Sequence, residues 1–446
     1  MALFEKVLIA NRGEIARRII RTCDRLGIKT VAIYSDADAE APFVKEATEA
    51  ISIGGTLAKD SYLNIDKVIT IAKEQGVDAI HPGYGFLSEN ANFVERCEEA
   101  GITFIGPDKE TMEVMGSKLL SRNKMIEAGV PVVPGTDGRL ESLEEAKQVA
   151  TELGYPLMLK ASAGGGGIGM KLVQNEEELV SAYETTKTQA KNFFSDDQIF
   201  LEKWIDEPRH IEVQIAADTK GNVIHLFERE CSVQRRHQKV IEESPSPFLT
   251  DSLREQLLEA AVQGVKHIGY SNLGTMEFIF DRDGNFYFLE MNTRLQVEHP
   301  VTEEVTGLDL IEWQLRIAAN EVLPLAQEEI KFEGHAIESR LYAEDPKTYF
   351  PSPGKISKLV LPEGIGRFDF GIEEGTDVTP FYDPMVGKII VHGTDRNEAI
   401  AKKRKVLEQM EVEGITCNLP LLQRIMDAEA FTTGNYTTKF LDEFNK

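Results

Sequence analysis

The sequence is short of the features that would direct it to a membrane, an oxidising compartment or a nucleic acid. No apolar run approaches the ~20 residues of a membrane-spanning helix, and the opening MALFEKVLIANRGE has no signal h-region or cleavage site. Four cysteines, Cys23, Cys97, Cys231 and Cys417, are scattered without a CxxC pair or a short disulfide framework. A soluble, cytoplasmic protein is expected. Positive charge is also scarce: 49 Lys and Arg stand against 74 Asp and Glu, for a formal net charge of −25. That field repels polyanions, so neither nucleic acid nor an anionic membrane is expected as a partner. Anionic substrates would need cations concentrated at one place.

The first strand-to-helix turn, Asn11-Arg12-Gly13-Glu14, lacks the GxGxxG spacing a dinucleotide pyrophosphate requires, which sets a nicotinamide enzyme aside. The GxxxxGK[ST] spacing of a Walker-type site is absent too.

What is present is the length for two or three domains, 446 residues. The first hundred residues alternate β-branched runs (6–10, 30–35, 78–82, 102–106) with helical periods. One helix carries Ile15, Ile19, Cys23 and Leu26 near one face, and another is centred on 92–99. That alternation predicts a doubly wound, mostly parallel sheet. Ser142 and Glu145 form a capping box that opens a helix running to about Leu153. A strand (155–162), a glycine loop (164–169) and a further strand from Met170 follow. Beyond 334, strands at 355–361 and 387–393 precede a charged helix at about 396–410, predicting an α+β domain. The expected divisions are 1–114, 115–330 and 331–446.

The most informative segment is GTMEFIFDRDGNFYFLEMNTRLQVEHP (274–300). Two apolar strands flank Asp283-Gly284, a hairpin turn signal. If Arg282 opposes Asn285, then Glu277 opposes Glu290, and two carboxylates with Cβ atoms roughly 5 Å apart repel each other. A bound Mg²⁺ removes the conflict, because it takes one or two protein carboxylates and completes its shell with phosphate and water. Alternation adds Asn292 and Arg294 to the same face.

Other segments are weaker alone. Arg235, Arg236, His237 and Lys239 cluster as a receptor for phosphate or bicarbonate, or as a solvated loop. Lys118 and Lys160 can reach a polyphosphate as point charges. The glycine loop reads as a linker or as a mobile lid whose bare N–H groups approach phosphates, and the strands on both sides favour the lid. The backbone of 199–206 can present a donor and an acceptor to an adenine edge. Arg340 read in isolation is a structural ion-pair partner.

Together these segments resemble the biotin carboxylase family: NRGEIA (11–16), HPGYGFLSEN (81–90), KASAGGGGIGM (160–170), QRRHQK (234–239), EMNTRLQVEHPVTE (290–303) and PSPGK (351–355). The resemblance implies an ATP-grasp fold: an N-terminal doubly wound domain, a central ATP-grasp domain whose glycine-rich lid covers about 131–203, a C-terminal α+β domain, and a homodimer. Carried over by position, Lys118, Lys160, Gly166, Gly167, Glu202, Lys203, Ile205, His210, Gln234 and His237 contact the nucleotide, with Glu277 and Glu290. Glu277, Glu290 and Asn292 hold Mg²⁺ or Mn²⁺. Lys239, Arg294, Gln296 and the Val297 backbone form the bicarbonate site, Glu298 is the general base, and Arg340 faces biotin.

The implied reaction is the first half-reaction of acetyl-CoA carboxylase or a related acyl-CoA or pyruvate carboxylase. ATP and bicarbonate give carboxyphosphate, which carboxylates biotin. Ile168 departs from the family, which usually has Arg or Lys there, and weaker nucleotide affinity or slower lid closure is expected. No Met-Lys-Met attachment sequence occurs, so biotin is expected on a separate biotin carboxyl carrier protein, with separate carboxyltransferase subunits. The alternative is another ATP-grasp carboxylate or carbamoyl ligase, which would share the metal hairpin but lack the bicarbonate and biotin residues.

Overall fold

The computed structural model describes residues 3–136, 138–162, 169–194 and 196–444. Its first sheet is parallel. Strands β1 (Lys6–Ile9), β2 (Lys29–Tyr34), β3 (Glu49–Ser52), β4 (Ala79–His81) and β5 (Thr103–Phe104) lie in the order β3-β2-β1-β4-β5. The chain winds outward in both directions from the centre, the doubly wound form the alternating pattern predicts. The helix Gly13–Arg25 buries Ile15, Ile19 and Cys23, as their spacing anticipates. At the carboxyl ends of β1 and β4, Asn11 Nδ2 donates to the carbonyls of Pro82 (2.7 Å) and Tyr84 (2.8 Å). Gly83 between them has φ +62°, and a Cβ there would come 2.8 Å from Asn11 Nδ2. The NRGE and HPGYG segments close on one another only with glycine at that place.

A small antiparallel sheet follows, from β6 (Leu157–Ala161), β7 (Met170–Val173) and β8 (Ile199–Lys203) in the order β7-β6-β8. Ser142 caps the helix Leu143–Leu153, its hydroxyl accepting from the Glu145 N–H at 3.2 Å. The Glu145 carboxylate returns to the N–H of Glu141 (2.8 Å) and not to that of Ser142, so the expected capping box closes one residue early. Gly166, Gly167 and Ile168 of the glycine loop lie outside the described residues.

The remaining strands are β9 (Arg209–Ala217), β10 (Val223–Arg235), β11 (Gln238–Ser244), β12 (Asn272–Phe280), β13 (Phe286–Asn292), β14 (His335–Tyr342), β15 (Gly354–Lys355), β16 (Lys358–Val360), β17 (Arg367–Phe370), β18 (Asp377–Val378), β19 (Met385–Gly393) and β20 (Glu411–Glu413). Eight of them make one sheet in the order β13-β12-β9-β10-β11-β14-β19-β17. It runs unbroken past residue 330, because β14 pairs antiparallel with β11. The stretch 355–361, expected as one strand, is instead divided between β15 and β16. The Ile356 N–H bonds to the carbonyl of Thr376 and the next N–H to that of Glu413, so the chain changes partner strand within two residues.

The large sheet has one apolar and one polar face. Along β9, Ile211, Val213 and Ile215 pack on Leu257, Leu258, Ala261 and Val265 of the helix Asp251–Ile268, with Met276, Phe278 and Phe280 of β12 beside them. Each such side chain contributes roughly 1.5–3 kcal/mol on leaving water. The alternate residues His210, Glu212 and Gln214 are also buried, but on the other face. Among the described residues, no helix is long and apolar enough to cross a membrane.

Candidate active site

That polar face forms the floor of a cleft of about 1010 Å³ between the three sheets. The hairpin β12–β13 enters it with a register different from the one the turn residues suggest. The turn spans Asp281 to Asn285, held by Asp281 N–H to the Asn285 carbonyl (2.9 Å), and does not set Arg282 opposite Asn285. Phe280 therefore pairs with Phe286 and Phe278 with Phe288. Continued unchanged, this register would set Glu277 opposite Leu289. A β-bulge absorbs Leu289, and Glu277 pairs with Glu290. The expected carboxylate pair thus forms through two offsetting departures from the simple hairpin.

On the next strand Glu212 is the register partner of Glu277, which makes a row of three glutamates across β9, β12 and β13. One lysine anchors two of them. Lys239 Nζ lies 2.5 Å from Glu212, 2.9 Å from Glu277 and 2.6 Å from Glu298. Burial opposes a charged lysine, but the three carboxylates outweigh it and hold Lys239 well above its ordinary pKa. Beneath, the fully buried Arg229 bonds Glu212 (2.5 Å), Gln214 (2.7 Å), Thr302 and Thr275.

The paired glutamates differ in their surroundings. Glu277 also accepts from Asn292 Nδ2 (2.9 Å) and Gln296 Nε2 (3.1 Å), and its other oxygen lies 3.0 Å from His210 Nε2. Gln234 Nε2 donates to His210 Nδ1 (2.8 Å), which leaves the ring proton on Nε2, facing Glu277. Although burial works against ionisation, Lys239 and His210 depress Glu277 far below the usual carboxylate range. Burial and the neighbouring Glu277 raise Glu290, with Lys118 opposing. Two carboxylates and an amide oxygen (Glu277, Glu290, Asn292) form an all-oxygen donor set of the kind a hard divalent cation takes, and Glu290 is the group whose charge such an ion would relieve.

Arg294 is fixed from three sides: Nε to Glu89 (3.0 Å), Nη1 to Gln296 (3.0 Å) and Nη2 to Asn292 (2.9 Å). Arg340, on β14, bonds Glu242 (2.6 Å) and Glu298 (2.9 Å). Lys160 pairs with Glu202, and burial lowers Lys118, with Lys160 adding to the effect. All these cations line the cleft with Ile205, Gln234, His237 and Gln296.

Some expected residues sit differently from the simplest reading. Glu298 is fully buried and is not on the cleft wall, because Lys239 and Arg340 cover it. Burial opposes its charge, yet Lys239, Arg340 and Arg229 hold it well below the ordinary carboxylate range. Lys203 lines the cleft, but its ammonium is engaged by the carbonyls of Leu153 (3.1 Å) and Gly154 (2.8 Å). The Val297 carbonyl accepts from the buried Lys388 (2.9 Å), which leaves its N–H as the group suited to an anion. The QRRHQK cluster splits: Arg235 is spent on Glu344 (2.9 Å) and stacks on Tyr349, Arg236 and His237 are exposed at the β10–β11 turn, and Gln234 and Lys239 reach the floor.

Sequence reasoning missed Glu89, Glu212, Arg229 and Lys388. For Glu212 a signal existed, since charged and amide residues alternate with Ile and Val along 210–215 in a strand too apolar to be an exposed edge.

Comparison with known proteins finds matches over nearly the whole chain. Residues 3–112 match the biotin carboxylase N-terminal domain, 117–326 the ATP-binding domain of the carbamoyl-phosphate synthase L chain, and 338–443 the biotin carboxylase C-terminal domain. The chain is 58% identical to a biotin carboxylase of Halalkalibacterium halodurans over 440 residues, covering 98% of this chain and 97% of that one. A Campylobacter jejuni biotin carboxylase solved as a β,γ-ATP complex superposes with a TM-score of 0.96 at 48% identity, over 99% of both chains. The biotin carboxylase domain dimer of Hydrogenobacter thermophilus 2-oxoglutarate carboxylase, solved with MgADP, ADP and bicarbonate, gives 0.94 at 50% identity, over 99% of this chain and 97% of that one. With a glutamate-paired, lysine-lined cleft on such a scaffold and matches covering all three segments in order, the chain belongs to the biotin carboxylase family.

Proposed function

We propose that this chain is an ATP-dependent ligase that carboxylates biotin presented by a separate carrier protein, taking the carboxyl group from bicarbonate. The observation that carries this assignment is the convergence of Lys239, Arg294 and Arg340 beside the Glu277–Glu290 pair in one cleft. Phosphoryl transfer needs charge neutralised on the phosphate oxygens, and a small anion needs cations and amide donors held in place next to it.

In this scheme Lys118 and Lys160 meet the polyphosphate, and His210, Gln234, His237, Glu202 and the backbone near Ile205 hold the rest of the nucleotide. The unit about 131–203, with its glycine loop, closes over it and excludes water from the labile carboxyphosphate. Glu277, Glu290 and Asn292 hold a divalent cation, which when bound neutralises phosphate charge. Arg294, Gln296 and the Val297 N–H orient bicarbonate.

Glu298 removes the bicarbonate proton. A carboxylate clamped by two cations is a weak base, so its basicity must rise as the substrate anion draws Lys239 away. Bicarbonate oxygen then attacks the γ-phosphorus in line and ADP leaves. Carboxyphosphate breaks down to CO₂ and phosphate, and that phosphate takes the ureido proton. Arg340 and Arg294 stabilise the biotin anion as it attacks CO₂. Partners of the reading are a biotin carboxyl carrier protein, carboxyltransferase subunits and a second copy of the chain.

The test is ADP release with free biotin and bicarbonate, each omitted in turn. ADP formation should need bicarbonate and rise when biotin is supplied; ADP release indifferent to biotin would remove the assignment.

A further inference from the structure

Behind Arg340 lies a set of buried carboxyls that the proposed mechanism does not use. Glu338 and Glu242 are register partners across β14 and β11, and neither has measurable exposure. Glu242 accepts from Arg340 Nε at 2.6 Å, and the same guanidinium reaches Glu298 at 2.9 Å. Among the described residues, neither oxygen of Glu338 has a hydrogen-bond partner.

The surrounding elements supply too little positive charge for every carboxyl to ionise. From β19, Lys388 bonds Glu14 (3.2 Å) and the Val297 carbonyl. From the helix Gly13–Arg25 comes Glu14, which also receives the Tyr84 hydroxyl. From β11, Lys239 is shared among Glu212, Glu277 and Glu298, while Arg229 of β10 is committed to Glu212. From the helix Arg396–Gln409, Lys403 donates to the carbonyls of Ile337 and Ile389, and burial lowers it to about 7. Around the facing pair Glu242 and Glu338, Arg340 is thus shared with Glu298, Lys388 is taken by Glu14, Lys239 is divided among three other carboxylates, and Lys403 is lowered toward neutrality. An unbalanced negative charge in a dry interior is too costly to persist, so a proton is retained.

We propose that Glu338 holds this proton in the resting enzyme and is a positioning residue: by staying neutral it keeps Glu242 ionised as the tether that aims Arg340 into the cleft. Glu338 makes no bond to substrate and acts only through Glu242 and Arg340. The direction of its titration agrees, because burial raises it well above the carboxylate range, Glu242 adds to the effect and Lys388 opposes it. Glu242 itself rises to about 7, by burial first and with Arg340 holding it down, so of the two facing carboxyls it is the one with a cation to keep it ionised. Ionisation of Glu338 would set a second charge against Glu242 and pull the guanidinium off its line to Glu298.

The inference rests on Arg340 serving biotin, and its test separates the two. In Glu338→Gln, which mimics the neutral acid, the alkaline limb of kcat/KM for biotin should move to higher pH by about one unit, on the order of tenfold at a fixed alkaline pH. The bicarbonate-dependent ATPase without biotin should keep its pH profile. Infrared difference spectra of the parent should show a buried protonated carboxyl that the variant lacks. Should the amide prevent folding, Glu338→Leu serves in both measurements. Coincident alkaline limbs, or no such carboxyl band in the parent, overturn the proposal. A parent without biotin-stimulated ADP release defeats the functional assignment instead, and the spectrum still decides whether Glu338 holds a proton.

Discussion

Glu277 and Glu290 face one another across β12 and β13 yet titrate in opposite directions, the first held far down by Lys239 and His210 and the second pushed up by burial and by the first. Environments that drive two adjacent carboxyls apart are the mark of a site built for chemistry rather than for stability.

Glu290→Gln should therefore stabilise the metal-free protein while disabling it. Removing one of two facing charges recovers about 0.5–1 kcal/mol at neutral pH. Because the pKa of Glu290 is raised on folding, the parent loses stability as pH climbs from the ordinary carboxylate value toward the folded one, so the advantage of the variant should widen over that interval. Activity should fall by about two orders of magnitude, with a much higher Mg²⁺ requirement. Thermal melts without metal and a Mg²⁺ titration of ADP release check both halves; a variant less stable than its parent at neutral pH counts against the repulsion.

Lys239→Gln should be destabilising as well as inactive. It strands Glu212, Glu277 and Glu298 around an amide, and breaking a buried ion cluster from one side costs roughly 3–5 kcal/mol. Urea unfolding gives the first quantity and ADP release the second. Adding Glu277→Gln to the same chain should restore part of the stability and none of the activity, since it relieves the carboxylate that faces Glu290 and that, unlike Glu212, has no arginine partner.

Ile168→Arg tests the expectation, implied by the family resemblance, that this position takes a cation. A cation at the tip of the glycine loop should lower KM for ATP several-fold, corresponding to about 1 kcal/mol for one exposed charge contact with phosphate. Added salt should shrink the gain, because exposed charge pairs are screened. Unchanged KM and kcat would show that this position carries no nucleotide contact.

How far the fold was legible follows from the range of each interaction. Period and turn chemistry are local, and they were enough for the doubly wound sheet, for β6 and β7 around the glycine loop, and for the helix Arg396–Gln409. The sequence also predicts the pairing of Glu277 with Glu290, but through a shorter turn and no bulge, because nothing local marks Leu289 as one. What a single strand cannot reveal is which distant charge meets it. Glu89 reaches Arg294 from 205 residues away and Lys388 reaches Val297 from 91, and each was invisible until the sheets were assembled. The division of 355–361 between two sheets was hidden for the same reason, since its partners arrive from Thr376 and Glu413.

The last prediction concerns stability far from the nucleotide. Glu243 on β11 is fully buried and gathers His335 Nε2 (2.6 Å) of the neighbouring β14, Arg396 through two nitrogens (2.7 and 2.9 Å) and the Tyr436 hydroxyl, tying two C-terminal segments to the large sheet. Burial works against its charge, but these donors win and lower it to about 2. A depressed acid contributes stability that is complete above its unfolded pKa and disappears as pH falls through the folded value, here from about 4.5 down to about 2. Over that interval the linkage amounts to about 3 kcal/mol. Glu243→Gln should consequently be less stable than the parent by roughly that amount at pH 7, and the two unfolding curves should converge toward pH 2. ADP release per folded molecule should stay near the parental value, because none of the Glu243 partners lines the cleft. A deficit that persists undiminished at pH 2 would assign the loss to packing around the amide and not to the charge of Glu243.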